Sequence, residues 1–181
     1  MDFLVHAIRG IDRLNDAIGR WVAWLTLATV LICAAVVVLR YAVGTGFVWM
    51  QELYVWCHAF VFMLASGFAY LRNAHVRVDI FYAPAKPVTK AWIDLLGVLF
   101  LLLPWLVLVV WTAWSYVVAS WQTNEVSVQN NGMQAMYILK SAIVLFAVLL
   151  GLQGLAWIGR CILVISGRET PQAAGVSGPL G

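Results

Sequence analysis

The sequence contains few charged residues for its length. Only 10% of its 181 residues are Asp, Glu, Lys or Arg, while 64% are hydrophobic. Soluble domains carry about 25% charged residues, so water alone does not solvate the surface of this chain. A soluble globular protein is therefore excluded.

The sequence also lacks the groupings of side chains that build reactive centres. Its three cysteines, Cys33, Cys57 and Cys161, stand far apart in apolar sequence, with no C-x-x-C pair. We interpret them as small apolar fillers rather than disulfide partners or metal ligands. No glycine-rich phosphate loop, metal-ligand cluster or nucleophile beside a base is present. The sequence therefore predicts no catalytic site, no substrate site, no metal and no cofactor.

What the sequence does contain is four long apolar runs. The predicted spans cover about 21–43, 51–71, 92–121 and 135–165. About twenty helical residues cross a hydrocarbon core of about 30 Å, so the last two runs must tilt, kink or project beyond the membrane. Pro104 supplies a physical site for a kink. We predict an all-α membrane protein with four transmembrane helices.

The two ends of the chain differ from these runs. Residues 1–20 place apolar side chains at helical spacing among arginines and aspartates, a pattern typical of an amphipathic helix in the membrane interface. A soluble helix packed on a partner has the same pattern and stays an alternative. Residues 166–181 are rich in Gly, Pro and Ser, which predicts a flexible cytoplasmic tail.

Lysine and arginine are distributed unevenly about the spans. Nine of the 11 lie before the first span, between the second and third, or after the fourth: Arg9, Arg13, Arg20, Arg72, Arg77, Lys86, Lys90, Arg160 and Arg168. The opposite side has only Arg40 and Lys140. Cytoplasmic loops carry the excess of positive charge, so we predict that both termini and the middle loop are cytoplasmic.

Two pairs of charges lie on the side with few basic residues. Arg40 ends the first span and Glu52 opens the second, and the short linker between them favours an ion pair. The alternative, with both facing water or headgroups, has equal weight. Glu125 and Lys140 flank the connection between the third and fourth spans. They either pair or meet an external protein, and the sequence leaves this open.

A dense polar cluster follows the second span. On a helix, Arg72, His75 and Asp79 share one face; on an extended segment, His75, Arg77 and Asp79 share one. We interpret this charged ridge as a docking device for a partner subunit, and anchoring to lipid headgroups is the alternative. Within the spans, His58 has no acidic partner at its depth, so we predict a packing or hydrogen-bonding role rather than a proton relay.

With these residues identified, the chain resembles the small membrane subunit, DctQ type, of the tripartite ATP-independent periplasmic (TRAP) transporters. The matching elements cover nearly the whole chain except the tail: Arg40-Tyr41, Trp49 through Glu52, His75-Val-Arg-Val-Asp79, Glu125-x-Ser127 and Tyr137-x-x-Lys140 before a Gly-containing fourth span. One departure is Gln51, where the family often has a second acidic residue, which leaves Glu52 to act alone.

The resemblance implies a division of labour in a bacterial inner membrane. A large membrane subunit carries solute and sodium by moving a transport domain, and a periplasmic binding protein delivers an organic acid or related solute. The small subunit braces the stationary part of the large one and helps receive the binding protein. Eight polar residues are then expected at partner interfaces or in structural contacts: Arg40, Glu52, Arg72, His75, Arg77, Asp79, Glu125 and Lys140. Membrane lipids are a further expected partner, and nucleic acid is not.

Two alternative functions for a small four-helix membrane protein are a redox enzyme and a homo-oligomeric exporter or channel. An autonomous four-helix redox enzyme requires a C-x-x-C pair or a histidine cluster, and a homo-oligomeric exporter or channel requires a polar stripe along one span. The sequence shows neither pattern.

Overall fold

The computed structural model describes residues 2–75, 82 and 84–168, and the regular structure throughout this part of the chain is helical. Four helical stretches are long and apolar enough to cross a membrane: Phe3–Val43, Val48–Leu71, Pro87–Gln122 and Met136–Ile165. The predicted all-α class, with four helices able to cross a membrane, is confirmed. Six α-helices form them: α1 (Asp2–Val38), α2 (Val48–Leu64), α3 (Ser66–Leu71), α4 (Pro87–Gly97), α5 (Leu103–Gln122) and α6 (Met136–Ile165).

The first helix is continuous where a boundary near residue 20 was predicted. It includes 41 residues from Phe3 to Val43, or about 60 Å at about 1.5 Å per residue. No proline interrupts this segment, and its two glycines, Gly10 and Gly19, weaken the helix without ending it. Ile8, expected to face acyl chains, is instead buried against α6 beside Gly159. Residues 2–20 therefore form the packed N-terminal half of one long helix.

Local irregularities mark the other helix boundaries. The first helix ends in a π-helical turn, Leu39–Val43, and Gly44 then adopts a left-handed conformation with φ of 72°. A second π-helical turn, Val98–Leu102, lies just before Pro104 and joins α4 to α5. Proline has no amide hydrogen and its ring clashes with the carbonyl four residues earlier, so a widened turn is expected at this place. The third span is thus irregular where Pro104 predicts it.

The last helix, α6, forms the centre of the bundle. Half of the residues in its most apolar stretch are buried, compared with 11–17% of the residues in the corresponding stretches of the other three spans. The other α-helices all pack against it, and its buried side chains include Leu150, Trp157 and Cys161. The outer spans keep large apolar side chains exposed, among them Phe62, Phe100 and Trp111. Such a surface requires lipid or another protein to cover it.

Candidate functional site: polar contacts at the two ends of the bundle

Polar side chains meet at both ends of the helical bundle. We call one of them the basic end, defined by Asp12, Asp16, Arg72 and Arg160. We call the other the loop end, defined by Glu52, Glu125, Lys140 and the connection 123–135 between α5 and α6. Between the two ends the interior is mainly apolar, so most polar contacts that could serve a function lie at these ends.

At the basic end, α1 is joined to α6 through Asp12. Its Oδ2 forms an ion pair with the Arg160 guanidinium, and its Oδ1 accepts a hydrogen bond of 3.0 Å from Nε2 of Gln153. The side chains of Asp12 and Arg160 are only 22% and 14% exposed. Because both ions have lost most of their water, loss of either partner leaves an uncompensated charge, which is strongly destabilising.

The same contact continues into the bundle through a buried amide pair. Nδ2 of Asn15 donates to Oε1 of Gln153 at 2.8 Å and to the Leu149 carbonyl at 3.4 Å, and both amide side chains are fully buried. Oδ1 of Asn15 lies against Gly67, where an added Cβ would approach it to 2.2 Å. Glycine at this position is what allows the backbone of α3 to approach this closely.

Arg72 takes part in a second contact at the basic end. Its guanidinium lies 2.6 Å from Oδ1 of Asp16, whose other oxygen pairs with Arg20 at the same distance. Both arginines are more than half exposed, so each pair contributes about 0–1 kcal/mol in water. Arg72 therefore ties the end of the second span to α1 rather than standing on a free ridge.

The predicted ridge after the second span is only partly described by the structure. Helix α3 ends at Leu71, and Asn73 has a φ of 54°, so the helical arrangement of Arg72 with His75 does not form. His75 is exposed, and its ring lies 5.7 Å from the ring of Tyr70. Arg77 and Asp79 lie outside the described residues.

The third span is fastened to α6 at both of its ends. At the basic end, Oδ2 of Asp94 accepts hydrogen bonds from the Tyr82 hydroxyl at 2.9 Å and from Nε1 of Trp157 at 3.3 Å. Near the loop end, Nε1 of Trp121 donates to the Ser141 hydroxyl at 2.9 Å. Both contacts to α6 use an indole N–H, from the buried Trp157 and from the half-exposed Trp121.

At the loop end, the carboxylate of Glu52 contacts the connection between α5 and α6 and does not contact Arg40. Its carboxylate accepts a hydrogen bond from the Ser127 hydroxyl and another, at 2.5 Å, from the backbone N–H of Met133. A Cβ on Gly132 would lie 2.8 Å from Oε2 of Glu52, so the loop closes tightly over the carboxylate. Arg40 is exposed, and it forms no ion pair with Glu52. The preferred Arg40–Glu52 pair is therefore absent.

Glu125 and Lys140, whose relation the sequence leaves open, form an ion pair. Nζ of Lys140 contacts Oε2 of Glu125 and lies 3.8 Å from the ring centroid of Tyr116, a cation–π contact. The Lys140 side chain is buried by its neighbours and only 10% exposed. The hydrogen bond from Lys140 holds the pKa of the Glu125 carboxyl below its ordinary value. This pair fixes the start of the loop to the first turns of α6.

Three functional side chains of the basic end escape prediction from the sequence. Asp12, Asn15 and Asp16 fall in the stretch interpreted as the polar face of an interfacial helix. Their spacing, with Gly19 one turn further on, places small and polar residues on one side of α1. Buried interfaces between membrane helices combine these residue types, so the spacing was a usable signal for packing against another helix.

The sequence is similar to one family of known proteins. The family model described as "Tripartite ATP-independent periplasmic transporters, DctQ component" matches residues 29–163. No curated protein and no solved structure matches the chain. The matched region includes the second and third spans, the fourth span as far as Leu163, and all of the loop end. The chain therefore belongs to the DctQ family, the small membrane component of the TRAP transporters.

Proposed function

We propose that this chain is the stationary small subunit of a sodium-coupled, binding-protein-dependent TRAP transporter for organic acids or related solutes. It braces the large membrane subunit in the bacterial inner membrane and helps receive the periplasmic binding protein. Family membership supports the place of the chain in a tripartite complex. The members of this family are transporter components rather than enzymes.

The observation that carries the bracing role is the way the four spans are held together. Polar contacts fix α1, α3 and α4 to each other or to α6 at the basic end, and the loop end adds Glu52, Glu125 and Lys140. The outer faces of the spans, in contrast, expose large apolar side chains. A body with a locked interior and an apolar exterior is suited to support a neighbouring membrane protein.

The distribution of charge supports an orientation with both termini in the cytoplasm. Arg20, Arg72 and Arg160 share the basic end, and the loop end has Lys140 and nearby Arg40. The connection 123–135 is then periplasmic. Its tip exposes Val128 completely, followed by the uncharged residues 129–131. We propose this tip as the part of the chain that contacts the binding protein.

Co-purification and reconstitution test the proposal. The chain is expressed with a large TRAP membrane subunit from the same source, purified through a tag on the small subunit, and placed in liposomes with a sodium gradient. We expect a stable complex and uptake that requires both membrane subunits and the binding protein. Purification as a homo-oligomer that transports a solute alone contradicts the proposal.

Two single changes in the connection 123–135 test the docking role of its tip. Val128→Asp alters the exposed loop tip without touching an internal contact, so we expect lower uptake at limiting binding protein with unchanged complex yield. Ser127→Ala removes the hydroxyl donor of Glu52 and serves as the control for loop position. Equal uptake by Val128→Asp and wild type at every binding-protein concentration contradicts the docking role.

A further inference from the structure

His58 lies near the middle of the second span with its side chain on the outer surface of the bundle. The span runs from Val48 to Leu71, and His58 is exposed. Its imidazole makes no hydrogen bond or ring contact to the described residues. The described part of this chain therefore offers His58 neither a buried site nor a hydrogen-bonding partner for the role that the sequence predicts.

An unpaired imidazole at this depth is unfavourable in lipid. A neutral histidine carries one N–H donor and one acceptor nitrogen, and an unsatisfied polar group in hydrocarbon costs several kcal/mol. Two threonine hydroxyls of the spans avoid this cost within their own helix. The hydroxyls of Thr29 and Thr112 donate to the carbonyls of Leu25 and Leu108, four residues earlier. His58 has no such arrangement, so its face requires an external hydrogen-bonding group.

The helix face that carries His58 continues as one wall of an apolar groove. Phe62, Ala65 and Ala69, which follow His58 at intervals of four, three and four residues, line a groove of about 810 Å³. Trp105 and Val109 of α5 form the opposite wall, and α6 forms the floor through Ile143, Phe146 and Leu150. The groove thus lies between the second and third spans, over the central helix.

The spacing along this wall is that of a helix–helix interface. Val55, His58, Phe62, Ala65 and Ala69 alternate steps of three and four residues, as in the seam of a left-handed helix pair. The two alanines allow a neighbouring backbone to approach closely. The seam therefore combines a small-residue contact surface with a polar group near mid-membrane.

We propose that a transmembrane helix of the large TRAP membrane subunit lies in this groove and presents a hydrogen-bonding side chain to His58. The inference rests on the proposed function, which supplies that subunit as the partner. Large apolar side chains of that partner helix cover Ala65 and Ala69. A lipid acyl chain fits the apolar part of the groove but offers the imidazole no partner at this depth, so the observations favour a protein helix.

Affinity measurements on matched variants test the location. His58→Leu removes the imidazole, and Thr112→Leu is its control because the Thr112 hydroxyl bonds its own helix. Ala65→Phe fills the groove, and Ala34→Phe places the same bulk at an exposed position of α1. The dissociation constant for the large subunit is measured in one detergent, and co-purified phospholipid is quantified by mass spectrometry. The melting temperature of each isolated variant shows whether it is folded.

We expect His58→Leu to weaken binding about fivefold, the effect of losing one interhelical hydrogen bond of about 1 kcal/mol. Ala65→Phe is expected to weaken it about tenfold or more, because overpacking costs about 1–3 kcal/mol. The two control variants should bind as wild type does. If His58→Leu alone is unstable, His58→Asn, which keeps a donor and an acceptor, should restore more affinity than leucine does.

The other outcomes overturn the proposal in distinguishable ways. If wild-type chain does not bind the large subunit, the proposed function fails as well. If wild type binds and both groove variants bind equally well, only the groove assignment fails. A change confined to co-purified phospholipid identifies the groove as a lipid site. Weaker binding by Ala34→Phe alone moves the interface to α1, and groove-dependent dimers of the isolated chain identify a second copy as the occupant.

Discussion

Replacement of Gln153 by leucine tests the contact between α1 and α6 most directly. Gln153 donates to Asp12 at 3.0 Å and accepts from Asn15 at 2.8 Å, and its side chain is fully buried. Leucine has a similar volume, so the change removes two hydrogen bonds and little packing. Each interhelical hydrogen bond in a membrane protein contributes about 0.6 kcal/mol. The amide of Asn15, left with only the Leu149 carbonyl at 3.4 Å, adds about 1 kcal/mol of unsatisfied desolvation.

We therefore expect Gln153→Leu to lower the free energy of unfolding by about 2 kcal/mol. The measurement is unfolding by sodium dodecyl sulfate in mixed micelles, followed by circular dichroism. Gln122→Leu, at the exposed end of α5, is the control and should unfold as wild type does. In a double-mutant cycle, Asn15→Leu should also destabilise the chain, and the double variant should lose about 1 kcal/mol less than the sum of the two. A Gln153→Leu chain as stable as wild type, or a coupling of zero, refutes the role given to this amide pair.

Three further changes address other contacts. Glu52→Gln removes the charge that holds the connection 123–135, so backbone amide exchange in this loop should become at least several-fold faster while the helices keep their protection. The hydrogen bond from Lys140 lowers the pKa of the Glu125 carboxyl below its ordinary value. The stabilising contribution of the pair is therefore present at neutral pH and is lost as pH falls through that lowered pKa. Unfolding measured from pH 7 to pH 3 should show this loss, and Glu125→Gln should remove that part of the pH dependence. Gly67→Ala should lower the free energy of unfolding by about 1–3 kcal/mol, because the new Cβ lies 3.1 Å from the Leu149 carbonyl as well as close to Asn15.

Matched controls accompany these changes. Arg40→Ala should leave amide exchange in the connection 123–135 unaltered, because Arg40 does not pair with Glu52; faster exchange there indicates an ion pair after all. Gly97→Ala meets no atom within 4 Å and should be neutral or slightly stabilising, as expected for alanine inside a helix. Equal destabilisation by Gly67→Ala and Gly97→Ala means that close approach of α3 is not what glycine provides.

The number and type of the helices follow from the sequence because span length is set by the bilayer. About twenty apolar residues in a row have few alternatives to a membrane helix. The role of residues 2–20 does not follow in the same way. A helix lying on lipid and a helix packed on α6 both need apolar residues at helical spacing. Only the position of Asn15 and Asp12, which meet Gln153 and Arg160, decides between the two.

The loop end shows why charge pairing is harder to predict than topology. Glu52 and Arg40 are near in sequence, which favours their pairing, but proximity along the chain does not satisfy the backbone of a distant loop. The Met133 N–H lies in the tight turn beside Gly132 and requires an acceptor. Glu52 supplies it, with Ser127 as a second donor. Arg40, at a membrane boundary, can extend to water or headgroups, so it loses little without the carboxylate.

These contacts also bear on whether the four spans can rearrange. A segment that changes conformation during transport needs two arrangements of similar free energy. In this chain, a change in the angle between α1 and α6 separates the partly buried Asp12–Arg160 pair and the fully buried Asn15–Gln153 pair. A shift of the third span against α6 breaks the Trp157–Asp94 and Trp121–Ser141 hydrogen bonds. Partly buried charges and amides left without partners make such intermediates costly, whereas apolar outer faces slide against lipid without that cost. These contacts oppose rearrangement of the four spans, which supports the proposed bracing role.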